Sequence, residues 1–394
     1  MSFVKYILPA LAATQVVFAD NSCGDLTISS QSDADGVSSC STLSGDVTVK
    51  NTYSGDLSLN GVKKITGAFK CEEGVNVSSI TASSLESIGG AFTLSGLTGL
   101  TELSAAKLTS VGSISWEALP ELQSLSFGSG ITDAGDVNIQ NTGLTSLDGI
   151  SLKTVGLFQI ENNRDLKTIN INNLQNATDL ISFSGNYDSL EIELPNLGTG
   201  TNITCRNIST ISVPSLEKLT GQLGFWGTKF ETFSAPNLTA TGDLVFEDNS
   251  KLSNISMPVL KTVTGGFLIT SNDELNTIDL PALKTVTGAI DFSGSFNTVQ
   301  FGSLEEVKGG FNLQSSHGKF NCSTFNSMRG DVIKGKYDCK ATTNDPTTSN
   351  GKSGSSTSSG SSSTGTSSGA AVANGVAMPV AGIAAFFYAL VQLI

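Results

Sequence analysis

The sequence predicts an all-β fold: one right-handed parallel β-solenoid of about 22 residues per turn, with disulfide caps and a disordered C-terminal stalk. Three observations predict it. First, the stretch from Leu260 to Leu283, LKTVTGGFLITSNDELNTIDLPAL, recurs along most of the chain. Copies start at Cys40, Val62, Leu85, Leu108, Ile131, Leu152, Leu174, Leu197, Leu216, Leu238, Leu260, Leu283 and Leu304, 264 residues over twelve intervals, a mean of 22. Second, the period within a copy is 2, which makes the segments strands. Third, no stretch carries the periodicity of an amphipathic helix, and a single turn cannot bury its apolar face unless the turns stack.

Taken in order, residues 1–19 read as a secretory signal. Lys5 supplies the positive start, Ile7 to Phe18 the short apolar stretch and Ala19 the small residue at the cleavage point. The predicted ectodomain covers residues 20–340. Cys23 and Cys40 flank its first turn, and Cys322 and Cys339 its last. Open solenoid ends expose core and strand edge, so these pairs are expected to be cap disulfides, Cys23–Cys40 and Cys322–Cys339.

Within each copy, Phe267 and Ile269 should point inward and Leu268 outward. The same inward slots hold Phe69 and Cys71, Phe92 and Leu94, Phe158 and Ile160, Leu223 and Phe225, Ile290 and Phe292, and Phe311 and Leu313. Thr270, in the turn, reads as exposed and tolerant of alanine. Cys71 and Cys205 share one inward slot six turns apart, roughly 29 Å at about 4.8 Å per stacked strand, far beyond disulfide reach. They are expected to be buried free thiols, with pairing to each other as the rival arrangement.

Asparagine follows the first strand at Asn51, Asn141, Asn163, Asn186, Asn207, Asn249 and Asn272. Either this is a turn preference or it is an asparagine ladder stacked inside the coil. Pro195, Pro214, Pro236, Pro258 and Pro281 each stand two residues before a repeat leucine, at a strand end where a missing N–H is tolerable.

Seven sequons lie at Asn76, Asn176, Asn202, Asn207, Asn237, Asn254 and Asn321, N-glycan sites in a secreted chain. Asn207 is both sequon and ladder candidate, and an inward asparagine carries no glycan. Residues 341–369 are rich in Ser, Thr and Gly and read as an extended, O-glycosylated stalk. Residues 370–394 read as a glycosylphosphatidylinositol (GPI) attachment propeptide. The small run Gly369-Ala370-Ala371 precedes an eight-residue spacer and the fifteen-residue apolar tail Val380 to Ile394. Gly369 is the expected attachment site and Asn374 the alternative.

Chemistry is sparse. The chain has 394 residues, 14% of them charged, and a net charge of −13; without Lys/Arg runs this argues against nucleic acid. The one histidine, His317, lies in a loop, and no His/Cys/Asp spacing suits a metal. A polysaccharide hydrolase or lyase on this fold would need paired carboxylates, or Lys/Arg with carboxylates, on one strand face. The outward slots hold Lys70, Thr93, Gln159, Gly224, Val245, Leu268, Asp291 and Asn312, mostly uncharged. The reading is a non-enzyme without metal, cofactor or catalytic residues.

The signal peptide, the repeated LxxVxGxLxI…LxxIxLPxL, the paired cap cysteines, the Ser-rich stalk and the apolar tail together resemble the fungal GPI-anchored cell-wall organisation proteins of the sporulation-specific-protein-2-like family. The resemblance covers essentially the whole chain and rests on the combination, not on one motif. It implies a receptor L-domain-like coil with leucine-rich-repeat character, placed at the plasma membrane outer leaflet and in the wall, and needed for wall integrity. It brings no catalytic residues. Two function classes follow: a scaffold presenting a face to wall glycans or to wall and membrane proteins, and a sensor-like ectodomain that binds protein ligands. A glycan site would want exposed aromatics. Trp226 is the first candidate, with Tyr187 and Phe230 behind it; the plainer reading is that turn aromatics pack on their neighbours.

Overall fold

The computed structural model describes residues 23–351. It is a parallel β-solenoid of about 14 turns. Successive rungs of the main sheet pair in parallel from Leu26–Ile28 to Tyr337–Ala341. The ladder runs unbroken through the short turn at Leu197, where Phe183 pairs with Cys205 and Cys205 with Phe225. The chain is therefore one continuous coil. Shorter strands pair on another side of the coil in four small sheets, the last formed by Thr277–Asp279 and Thr298–Gln300.

The inward alternation holds rung after rung. Phe267 and Ile269 are fully buried, and pair with Ile290 and Phe292 of the next turn. Aromatic rings from neighbouring rungs meet edge to face: Phe69 with Phe92 at 5.4 Å, Phe158 with Phe183 at 5.9 Å, Phe267 with Phe292 at 4.8 Å. Such pairs add about 0.5–1.5 kcal/mol to the area they bury. Cys71 and Cys205 are both buried and unbonded. The register Cys71–Leu94–Trp116–Ile139–Ile160–Phe183–Cys205 sets them six rung spacings apart. Burial pushes the Cys71 thiol up to about 12, and Cys205 upward as well.

The turn after each main strand resolves the asparagine question by splitting it. One column is left-handed: Glu73, Gly96, Ala118, Asn141, Asn162, Gly185, Asn207, Gly227, Asp248 and Ser271 all have φ between 54° and 65°. Asparagine and glycine suit that position because the conformation crowds other side chains. The next residue turns inward and forms the ladder. Asn163 Oδ1 accepts the Thr142 N–H at 3.0 Å, and Asn186 Oδ1 accepts the Asn163 N–H at 3.0 Å. A second run repeats this with Thr228, Asn249 and Asn272. Buried Ile208 separates the two runs. Asn51, Asn141 and Asn207 are exposed, outside the ladder. The seven asparagines therefore divide between the two readings, and the conflict at Asn207 disappears.

One further expectation shifts by one position. The prolines sit just past the strand: Leu197 N–H bonds the Leu194 carbonyl and Leu283 N–H that of Leu280, so Pro195 and Pro281 are second residues of tight turns. Proline's fixed φ suits that place. The glycines that open each main strand leave no room for a side chain. A Cβ on Gly288 would collide with the Gly265 backbone, and one on Gly309 with that of Gly288.

Both ends are capped as expected, with Cys23–Cys40 and Cys322–Cys339 bonded at Cα separations of 5.7 and 6.0 Å. Each loop also contains a short helix that the sequence periodicity did not show, α1 (Gln31–Gly36) and α2 (Ser323–Met328). Ala34 and Val37, at the end of α1, plug the N-terminal core, and Phe325 of α2 packs on Phe301, Phe311 and Phe320 at the other end. Thr270 is not exposed: it is fully buried and its hydroxyl bonds Ser293 at 2.8 Å.

Candidate functional site

The inside of the coil is filled, so the surfaces a partner can meet are outer faces. The main sheet offers the longest one, because each rung adds two outward side chains at a spacing of about 4.8 Å. From Lys70 to Thr204 this face is open except at Ser182, which is buried and donates to Glu161 Oε1 at 3.0 Å. Thr93, Ser115, Asn138, Gln159 and Thr204 are short polar residues, each half-exposed. From Gly224 onward it is largely covered: Val245, Glu247, Thr270, Asp291, Ser293, Asn312 and Gln314 are buried although they point away from the core, with Leu268 half-exposed among them.

Trp226 marks the change. It lies over Gly224, where a Cβ would run into the ring. The Arg206 guanidinium stacks on it at 4.3 Å, a cation–π contact from the preceding rung. Its Nε1 donates to Glu247 Oε2 at 3.2 Å on the following rung. With 8% exposure it is a rivet between three turns, not a platform for a sugar. Phe230 is corrected more strongly. At 4% exposure it belongs to the core, edge-on to Phe225 at 5.4 Å. The repeat carried the signal: Phe230 shares the register of Leu252, one of the buried leucines that follow the ladder. Tyr187, 38% exposed with the Lys167 ammonium 5.8 Å above its ring, is the accessible aromatic of the three.

Of the sequon asparagines, Asn76, Asn207, Asn237, Asn254 and Asn321 are exposed, and Asn176 and Asn202 half-buried. Asn202 Oδ1 accepts the Gln222 N–H at 2.8 Å, taking the structural role that Asp46 and Asp243 play on other turns. Among the described residues no group of three or more His, Cys, Asp or Glu could hold a metal, and no helix is long and apolar enough to cross a membrane. His317 stays in its loop, its Nδ1 accepting the Lys319 N–H. The signal segment 1–19, Gly369, Asn374 and the tail lie outside the described residues.

Residues 1–38 match the family described as GPI-anchored cell wall organization protein, Ecm33, and residues 90–203 and 186–298 match the BspA type leucine rich repeat region. Protein ecm33 of Aspergillus fumigatus is 60% identical over 399 residues, covering 100% of both chains. The chain belongs to the Ecm33 family. The cell surface GPI-anchored protein ECM33 of Candida albicans is 32% identical over 90% of this chain and 88% of its own. Sporulation-specific protein 2 of Saccharomyces cerevisiae is 31% identical over 76% of this chain and 61% of its own. No solved structure matches. The Ecm33 family is one of cell-surface, GPI-anchored proteins of cell-wall organisation, and its relatives are named as wall or surface proteins rather than enzymes.

Proposed function

We propose that the chain is a non-catalytic scaffold of the cell surface and wall, which presents the open outer face of its main sheet to wall glycans or wall proteins. The observation that supports this reading is the run from Lys70 to Thr204: a column of mostly short polar side chains on a stiff support, with the longer charged Glu72, Glu117, Glu161 and Arg206 confined to the neighbouring column. The side chains of Thr93, Ser115, Gln159 and Thr204 offer donors and acceptors along this column, as recognition of a neutral glycan requires. The exposed sequons supply the N-glycans of this glycoprotein. Membrane attachment runs through Gly369, with Asn374 as the alternative.

The test is retention of the purified glycosylated chain on insoluble β-glucan and on chitin. Wild type should be retained, and a chain carrying N138E, Q159E and T204E should lose about tenfold in affinity, as expected when charges replace the neutral side chains of the contact column. Equal retention of both chains would move the contact elsewhere. Absence of glycan binding, with crosslinking to a membrane protein instead, would favour the sensor-like ectodomain.

A further inference from the structure

The cover over the last turns comes from the chain itself. After the final rung, Tyr337–Ala341, Thr342 takes a left-handed φ of 56° and the chain doubles back onto the outer face. These residues belong to the stretch whose composition reads as stalk. Thr343 N–H bonds the Ser315 carbonyl at 3.0 Å. Pro346 and Thr348 are buried and Ser349 is exposed.

Three outward side chains hold this strap, and all three act on its main chain. Gln314 Oε1 accepts the Thr347 N–H at 3.1 Å, Asn312 Nδ2 donates to the Thr347 carbonyl at 2.9 Å, and Asp291 accepts the Ser349 N–H at 3.0 Å. The three also orient one another. Gln314 Nε2 donates to Asn312 Oδ1 at 2.9 Å, and Asn312 Nδ2 to Asp291 Oδ1 at 2.8 Å. The resulting order, acceptor, donor, acceptor, against N–H, C=O and the N–H two residues on, is what the edge of a β-strand offers. Side chains here imitate a strand edge and read an extended backbone. The burial of residues 346 and 348 restricts the occupant to compact side chains such as proline and threonine.

We propose that Asp291, Asn312 and Gln314 form a docking site for an extended Ser/Thr/Pro-rich segment, and that its resident occupant is residues 346–349 of this chain. The site works as a latch. The anchored end leaves the coil from its flank, over the Asp291 rung, rather than from the cap at Cys322–Cys339. Pull on the anchor is then carried by the side of the rod, and the outer face of the last turns is closed to other partners.

Residue-resolved hydrogen exchange on the full glycosylated chain tests this, with a free peptide of residues 342–351 as reference. The amides of Thr347 and Ser349 should exchange about tenfold or more slowly than in the peptide, as for amides held in a net-favourable hydrogen bond. Gln314→Ala should release Thr347, and Asp291→Ala should release Ser349, while the Leu313 amide in the ladder stays protected in both. If Asp291→Ala also released Leu313, the turn itself would have opened, and the Gln314→Ala chain would decide the matter. Peptide-like exchange at Thr347 and Ser349 in wild type, or unchanged protection in Gln314→Ala, would overturn the latch.

Discussion

The two halves of the outer face share one backbone and differ in fate. On the Thr93, Ser115, Asn138, Gln159 and Thr204 rungs the outward residues are polar and half-exposed; on the Asp291 and Asn312 rungs residues of the same kind are buried. Both halves rest on equally buried inner columns, Phe158 with Ile160 and Phe267 with Ile269. Burial of the outward side is thus not a property of the strand. It depends on whether another segment lies on top, and polar groups survive under that cover only because each finds a partner.

The largest expected effect tests the common foundation. Phe158→Ala in the open half and Phe267→Ala in the covered half should each destabilise by about 3–5 kcal/mol in denaturant titrations, the usual result for a buried phenylalanine. A marked difference between the two would mean that the covered half draws its stability from the strap rather than from the shared core. Next comes the ladder. Asn249→Ala leaves the Thr228 N–H without its partner, at a cost of about 1–3 kcal/mol for a buried donor. Asn163→Ala should behave alike in the other half. Asn207→Ala, at an exposed turn, should cost below about 1 kcal/mol; a cost as high as that at Asn249 would put Asn207 back in the ladder.

On the outer face itself the effects are smaller and should differ between the halves. Gln159→Ala should change stability by less than about 0.5 kcal/mol, as for a solvated surface residue. Gln314→Ala, which loses bonds to Asn312 and Thr347, should cost about 1–2 kcal/mol. Equal values would erase the distinction drawn between the halves.

The last expectation is one of direction. Burial raises the Asp291 carboxyl above the ordinary carboxylate range, an effect that outweighs the bonds from Asn312 and Ser349. The folded form then binds its proton at a higher pH than the unfolded form. Its contribution should therefore improve as pH falls through the folded value towards the unfolded one, and level off below both. The difference in unfolding midpoint between wild type and Asp291→Asn, followed from neutral to mildly acid pH, isolates this group. A wild type that loses ground to Asp291→Asn on acidification would reverse the sign.

Much of this was legible because an inner column cannot choose. A strand residue facing a shared core, with no backbone group left to bond it, must be apolar, so Phe69, Phe92, Phe158 and Phe267 announce the register, and the period of their copies announces the coil. The end cysteines were legible for a related reason: they lie where stacking stops and a cap is needed. The two helices in those caps were not, since six residues are too few to display a helical period.

Tertiary structure alone decided the outward side. An outward threonine or glutamine reads the same whether water or chain covers it, and the cover here comes from residues 33 to 58 positions away, the separations of Thr347 from Gln314 and of Ser349 from Asp291. Composition marked residues 341–351 as stalk because they hold no core-forming side chain. The coil takes hold of them by their main chain, which composition does not register. Trp226 went the same way: its ring is hidden by Arg206 and Glu247, one rung to either side, neighbours that exist only once the turns are stacked.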